Sequence, residues 1–220
     1  MKSIVLCSGG LDSVTLAYYL ADRGDSLILL SFDYGQRHRR ELLCAKAAAT
    51  RLGAESLIVD ISAMRGLFGG SALTDDVPVP EGHYAASNMA STVVPNRNAV
   101  LLALAYALAV VEKADVVALA VHAGDHVIYP DCRPEFLTSF ETMQRFAVQG
   151  YGQPGLHLEA PFIARSKGEI VTIGARLGVP FGETWSCYNG RLRHCGRCGT
   201  CIERKEAFVS SGIVDPTEYE

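Results

Sequence analysis

Four cysteines near the end of the chain, Cys187, Cys195, Cys198 and Cys201, are spaced C-x7-C-x2-C-x2-C. Four thiolates at about 2.3 Å complete a tetrahedral shell around Zn2+, and such a closed shell is structural because it leaves no position for water. Gly196 and Gly199 permit the tight turns that two consecutive x2 spacings demand. The expectation is one structural zinc ion per chain, with an iron–sulfur cluster or redox thiols as the alternatives that spacing leaves open. His194 competes as a ligand, but its neighbour Cys195 has the better spacing. Arg191, Arg193, Arg197, Arg204 and Lys205 surround the cluster and are expected to offset its negative charge.

The second constellation is Ser8-Gly9-Gly10-Leu11-Asp12-Ser13, between an apolar run and a helical pattern. Adjacent glycines let backbone approach an anion closely, and the helix that follows offers free N–H groups and a partial positive charge. Ser8 and Ser13 add hydroxyls. Asp12 would repel a phosphate unless a cation bridges the two, so it argues for Mg2+ or a cationic substrate nearby. The plainer reading is a glycine turn capped by Asp12 or Ser13. The loop lacks the GK[ST] of a Walker A sequence and is not GxGxxG. Of the remaining cysteines, Cys7 and Cys44 read as small core residues, while Cys132 lies in a loop between Asp131 and Arg133, where reactivity is easier.

These residues need a frame to hold them. Short β-like runs at 2–8, 26–32, 55–61 and 114–121 alternate with helical patterns at 11–22, 39–52, 98–112, 134–148 and 166–177, the order of a parallel sheet covered on both faces. Ser166-Lys167-Gly168-Glu169 has capping-box spacing, and Pro134 suits a first helical turn. Residues 62–95 carry glycines and prolines with no period, the mark of a lid, a binding loop or a partner surface. After Pro180 the periodicity gives way to the cysteine region and a short helix around 202–211. The expected organisation is therefore an α/β domain over 1–180 with a zinc-binding subregion over 181–220 packed on it.

In 220 residues there is room for one substantial core. Lys plus Arg number 20 against 24 Asp plus Glu, a net charge of −4, which does not suit tight binding to a polyanion. The apolar run 99–111 is too short to span a bilayer, and no export signal precedes the first strand, so the expected setting is cytoplasmic, away from membranes, with reduced cysteines.

The loop resembles the SGGxDS phosphate loop of the ATP pyrophosphatases, which cleave ATP between the α- and β-phosphates to adenylate a substrate. That resemblance implies a doubly wound five-stranded parallel sheet, ATP with Mg2+ as co-substrate, and AMP and pyrophosphate as products. It carries nucleotide binding onto Cys7, Ser8, Gly9, Gly10, Leu11, Asp12 and Ser13. Arg97 and Lys167, each near a helix start, join Asp12 and Ser13 as catalytic candidates that neutralise pyrophosphate. Four further segments narrow the resemblance: Phe32-Asp33-Tyr34-Gly35-Gln36-Arg37-His38, Val94-Pro95-Asn96-Arg97-Asn98, Tyr129-Pro130-Asp131-Cys132-Arg133-Pro134-Glu135-Phe136, and Thr184-Trp185-Ser186-Cys187-Tyr188-Asn189-Gly190. Together they resemble the 7-cyano-7-deazaguanine synthase family of the queuosine pathway, except that Asn96 stands where that family often has glycine.

The resemblance implies conversion of 7-carboxy-7-deazaguanine and ammonia to the nitrile, through an adenylated acid and then an adenylated amide. Asp33 is expected to meet the nucleotide. Asp131 and Arg133 are candidates for the deazaguanine, a carboxylate for its N–H donors and a guanidinium for its carboxylate. A homodimer without direct nucleic-acid contact is implied by the same resemblance. The competing readings are a tRNA-thiolating relative, which would need a persulfide cysteine and an RNA surface, and a zinc-scaffolded binding module, which would leave Ser8 to Ser13 unexplained.

Overall fold

The run after Met1 forms strand β1 (Lys2–Leu6), followed by helix α1 (Leu11–Asp22), strand β2 (Ser26–Asp33), helix α2 (Arg40–Leu52) and strand β3 (Glu55–Asp60). The remaining regular elements are α3 (Arg97–Val111), β4 (Val116–Ala118), α4 (Pro134–Ala147), β5 (His157–Glu159), α5 (Lys167–Arg176) and α6 (Gly199–Ser211). This computed structural model describes residues 1–84 and 87–220. All strand pairs are parallel, in the order β3-β2-β1-β4-β5.

Alternation along the strands sorts the core into two layers. Ile4, Ile28, Leu30 and Val117 face Leu102, Ala105 and Tyr106 of α3 and Leu137 and Phe140 of α4. Val5, Leu29, Val116 and Ala118 face Leu16 and Leu20 of α1, Ala45 and Ala49 of α2 and Ile170 of α5. The sheet is doubly wound, as expected. Its order reverses direction between β1 and β4, and a crevice opens there beyond the carboxyl ends of the strands. The loop at 8–13 leaves β1 at that point.

Two boundaries differ from the sequence reading for physical reasons. Strand β5, His157-Leu158-Glu159, pairs with β4 as an edge too short and too polar to show an apolar run. Helix α6 starts at Gly199, earlier than expected, because Cys198 is its N-cap and Cys201 lies in its first turn. Ala207 and Phe208 of α6 join the core under α1, and Phe181 meets Phe208 edge-on at 5.1 Å, so α6 packs into the same core as α1 and α5.

Within the aperiodic segment 62–95, several described residues pack against the domain. Phe68, Leu73, Tyr84 and Met89 are buried in the α3-side core, while Glu81 bridges to Cys198 and Gly82 N donates to the Arg197 carbonyl at 3.1 Å. At Asn96 the chain takes φ 61 and ψ 11, the left-handed conformation glycine adopts most easily, to turn into α3. Asparagine tolerates that region better than other side chains, which accounts for Asn96 in place of glycine.

Candidate active site

The loop from β1 to α1 is shaped by close contact with α2. Gly9 has φ +86, and a Cβ there would lie 2.0 Å from the Glu41 carbonyl oxygen. Gly9→Ala is therefore expected to destabilise the fold by about 1–3 kcal/mol and displace the loop, read as a lower melting temperature together with weaker ATP binding. Gly10 is the N-cap of α1 and supplies no side-chain cap, so the first N–H groups of the helix are left for a ligand. Ser13 Oγ donates to the Gly10 carbonyl at 3.2 Å and lies 3.2 Å from Ser8 Oγ, which accepts from Gly10 N. Neither Asp12 nor Ser13 caps the helix, so the plainer capped-turn reading does not hold.

The capping box expected at 166–169 is present: Ser166 Oγ accepts from Glu169 N at 3.3 Å and Glu169 Oε2 accepts from Ser166 N at 2.9 Å. It sets Lys167 at the start of α5, with Nζ 3.1 Å from Asp12 Oδ2 and 2.7 Å from Glu203 Oε2. Burial works against the Lys167 ammonium, but Asp12, Glu203 and Asp125 outweigh it and hold the group above its ordinary pKa. Lys167 thus neutralises Asp12 beside the uncapped N-terminus of α1. Its other oxygen, Oδ1, is buried without a partner, an acceptor suited to a water on Mg2+. Glu203 in turn faces the buried His122, 3.8 Å away, and burial raises its carboxyl pKa against the pull of Lys167.

Beyond the loop, one cleft is lined by Ser8, Asp12, Ser13, Lys167 and Trp185 at one end and by Tyr34, Arg97, Leu101, Tyr129 and Tyr188 at the other. Arg97 stands over the Tyr34 ring at 5.9 Å and donates to its hydroxyl at 3.4 Å. Burial opposes its charge, yet Tyr34, Tyr188, Asp131 and Cys132 hold its pKa above the ordinary value. A chain of hydroxyls, Thr92 to Tyr129 to Tyr188, closes this aromatic end. Two groups that sequence reasoning gave no role also line the cleft, His38 and Glu41. The Glu41 carboxyl is pushed up to about 8 by burial, against a hydrogen bond from Gln36 and the charge of Arg97, and burial presses His38 down to about 3.

Three sequence candidates are placed elsewhere. Asp33 is buried but turns to Arg39 and accepts from Gly35 N at 3.1 Å, outside the residues that line the cleft. The Asp131 carboxylate accepts from Asn98 N at 3.0 Å and so serves the N-terminus of α3. Arg133 is exposed, with Nε donating to the His126 carbonyl at 2.9 Å. A turn residue and a helix-capping residue look the same as ligand residues until tertiary contacts are known. Cys132 does line the cleft, but burial raises its thiol pKa, the wrong direction for a nucleophile. Cys7 is pushed up to about 11 by burial, consistent with a core residue.

The four expected metal ligands do come together. The sulfurs of Cys187, Cys195, Cys198 and Cys201 lie within 4.8 Å of one another and are buried. Tetrahedral Zn2+ requires sulfurs about 3.8 Å apart, so the set fits that ion. Backbone N–H groups of Cys195 and Cys198 and the Asn189 amide donate to the sulfurs at 3.3 to 3.4 Å. His194 instead accepts from Ser186 N and stacks on Trp185 at 4.3 Å. The basic residues around the cluster turn mostly to other partners, a correction to their expected role. Arg191 pairs with Glu220 and Arg197 with Glu81, while Arg204 is fully buried and clamps Phe181, Thr184, Ser186 and Asp215.

A five-stranded parallel sheet with an uncapped serine–glycine loop at its switch point and a four-cysteine cluster beside it defines a nucleotide-binding α/β protein of the ATP pyrophosphatase class. Within that class the chain belongs to the QueC family: the model for queuosine biosynthesis protein QueC matches residues 2–212. It is 58% identical over 220 residues to 7-cyano-7-deazaguanine synthase of Agrobacterium fabrum, covering 100% of this chain and 92% of that one. Identity to the synthase of the same name in Brucella anthropi is 57%, over 100% and 94% of the two chains. In fold alone the chain is similar to NMN synthetase from Francisella tularensis, with TM-score 0.50, 16% identity and coverage of 97% and 77%.

Proposed function

We propose that the chain converts 7-carboxy-7-deazaguanine, ammonia and ATP to 7-cyano-7-deazaguanine. The acid is adenylated first, ammonia displaces AMP to give the amide, and adenylation of the amide oxygen then allows the nitrile to form. The observation that carries this reading is the single cleft with an anion-binding loop at one end and an aromatic wall with a guanidinium at the other. The loop N–H groups, Ser8 and Ser13 hold the α-phosphate region of ATP, and Lys167 stabilises the charge that develops as pyrophosphate leaves. Asp12 positions Lys167 and offers its free oxygen toward Mg2+. The deazaguanine ring lies against Tyr34, Tyr129 and Tyr188, and Arg97, rather than Arg133, meets its carboxylate.

Zinc is assigned to the four thiols as a structural ion on their arrangement. No helix among the described residues is long and apolar enough to cross a membrane. A cytoplasmic homodimer that does not itself touch nucleic acid goes with this reading, and the exposed Met143, Phe146 and Tyr151 around the end of α4 support a subunit contact.

Counting AMP against nitrile tests the scheme. If one site activates the acid and then the amide, the acid gives about two AMP per nitrile and added amide about one. Arg97→Ala is expected to lower kcat/KM for the acid about 10- to 100-fold, with a smaller loss for the neutral amide, while Arg133→Ala leaves both within about two-fold. A ratio near two from both substrates removes the free amide from the path. Equal losses on acid and amide in the Arg97 variant remove its role as carboxylate reader.

A further inference from the structure

Three carboxyl groups line the cleft: Asp12 is paired with Lys167 and Asp125 accepts from the Tyr84 hydroxyl, while Glu41 has no lysine or arginine within ion-pair distance among the described residues. Glu41, in the first turn of α2, lines the cleft beside the loop whose Gly9 rests on its backbone. Its Oε1 accepts from Gln36 Nε2 at 3.1 Å, and Gln36 is itself fixed by Tyr34 N and the Phe32 carbonyl. Its Oε2 has His38 Nε2 at 3.4 Å and no closer donor among the described residues. With the His38 proton on Nε2, the other ring nitrogen is an acceptor, and Nδ1 is buried without a partner. Two under-used acceptors, Glu41 Oε2 and His38 Nδ1, therefore stand on a wall of the cleft where neither has a lysine or arginine partner among the described residues.

A carboxylate at this position works against phosphate and substrate acid alike, so its ligand must be a donor or a cation. The one co-substrate of the proposed reaction that is a cation near neutral pH is ammonium. We infer that Glu41 is the residue that receives ammonium and takes its proton, freeing ammonia beside the acyl adenylate, with His38 holding the carboxylate in place. Ammonium gives one proton to the Glu41 carboxylate. The nitrogen lone pair so released forms the C–N bond, and the bond from the acyl carbon to the adenylate oxygen breaks with its electrons staying on AMP. The nitrogen's second surplus proton leaves on the AMP phosphate, and Glu41 returns its own to solvent.

The groups facing Glu41 are Arg97 from α3, His38 from the turn before α2, Tyr34 after β2, Cys7 just after β1 and Cys44 on its own helix. With burial dominant, the carboxyl ionises at about 8, so it is mostly protonated at pH 7 and becomes a proton acceptor as the pH rises through 8. This inference rests on the function proposed above, and the experiment separates the two.

Glu41→Gln keeps the size of the side chain and its partnership with Gln36. In parent and variant, exchange of labelled pyrophosphate into ATP is measured with the acid and no ammonium, and amide plus nitrile formation is measured with ammonium chloride from pH 7 to 9.5. Exchange is expected to stay within about three-fold, while product formation at pH 8 falls about 100-fold with a raised KM for ammonium. Parent rates should level off above pH 8, whereas the variant should keep gaining up to about ten-fold per pH unit until about pH 9, where ammonium itself ionises and free ammonia replaces the missing base. Glu41→Asp, which retracts the carboxyl without removing it, should fall between the two. Parent-like product rates in Glu41→Gln overturn the inference, as do exchange and product formation falling together in both variants, which marks a structural role. Absence of acid-dependent exchange in the parent overturns the proposed function instead.

Discussion

Lys167→Met is expected to reduce acid-dependent exchange of pyrophosphate into ATP by about 10²- to 10³-fold, because a preorganised charge at the bond that breaks is worth that much in a water-poor site. The same change has a separable effect on stability. Lys167 stands between Asp12 and Glu203, and both it and Glu203 are nearly inaccessible. Removing Lys167 leaves both the buried Glu203 and Asp12 uncompensated, at a cost of about 3–5 kcal/mol, whereas neutralising Glu203 as well leaves only the more exposed Asp12 without its partner. The double variant Lys167→Met with Glu203→Gln should therefore recover most of the melting temperature without recovering exchange. If the double variant regains both, Lys167 supports the fold and does not act on ATP. If Lys167→Met alone exchanges like the parent, pyrophosphate is neutralised elsewhere.

What the sequence disclosed about this site follows from which interactions are local. The phosphate loop and the cysteine spacing are complete within a few residues, and the Ser166 capping box spans four. All three sit where sequence reading puts them. Helices with a buried stripe were equally legible. The three-residue strand β5 was not, because three residues carry no period. Asp33, Asp131 and Arg133 are polar residues in turns, and which neighbour claims such a side chain is decided by packing. Asp131 goes to the N-terminus of α3 and Asp33 to Arg39, and no spacing rule forecasts either.

The same reasoning explains what was overlooked. Asp12, Lys167 and Glu203 come from three distant parts of the chain and meet only when α5 and α6 close over the loop. His38 and Tyr188 lie inside the quoted motifs, but a motif shows that residues travel together without showing which of them face the cleft. Glu41 lies just beyond its motif, one helical turn from His38. At i and i+3 on an exposed helix, a histidine and a glutamate read as an ordinary surface pair. Their burial is the information the sequence withholds.

Cys198→Ser carries the largest expected effect on stability. Cys198 caps α6 while Cys201 lies in its first turn, so their sulfurs point to the same end of one helix, and Cys187 and Cys195 meet them from the preceding loop. Binding of zinc at a closed thiolate site is worth about 10–16 kcal/mol, and that energy is also folding energy. Serine replaces a thiolate with a poor ligand, so bound zinc and melting temperature should fall together. The damage should reach the cleft, because the wall containing Tyr84 is tied to this region through the Glu81 to Cys198 bridge and the packing of Met89 on Gly199. Metal analysis, visible absorption and thermal melting of the purified variant and the parent decide the matter. A strong visible charge-transfer band in the parent would replace zinc with an iron–sulfur cluster. A full zinc equivalent with parent-like melting in the variant would show that the four-cysteine site is not the metal site, and lost zinc with unchanged melting would make the metal peripheral to the fold.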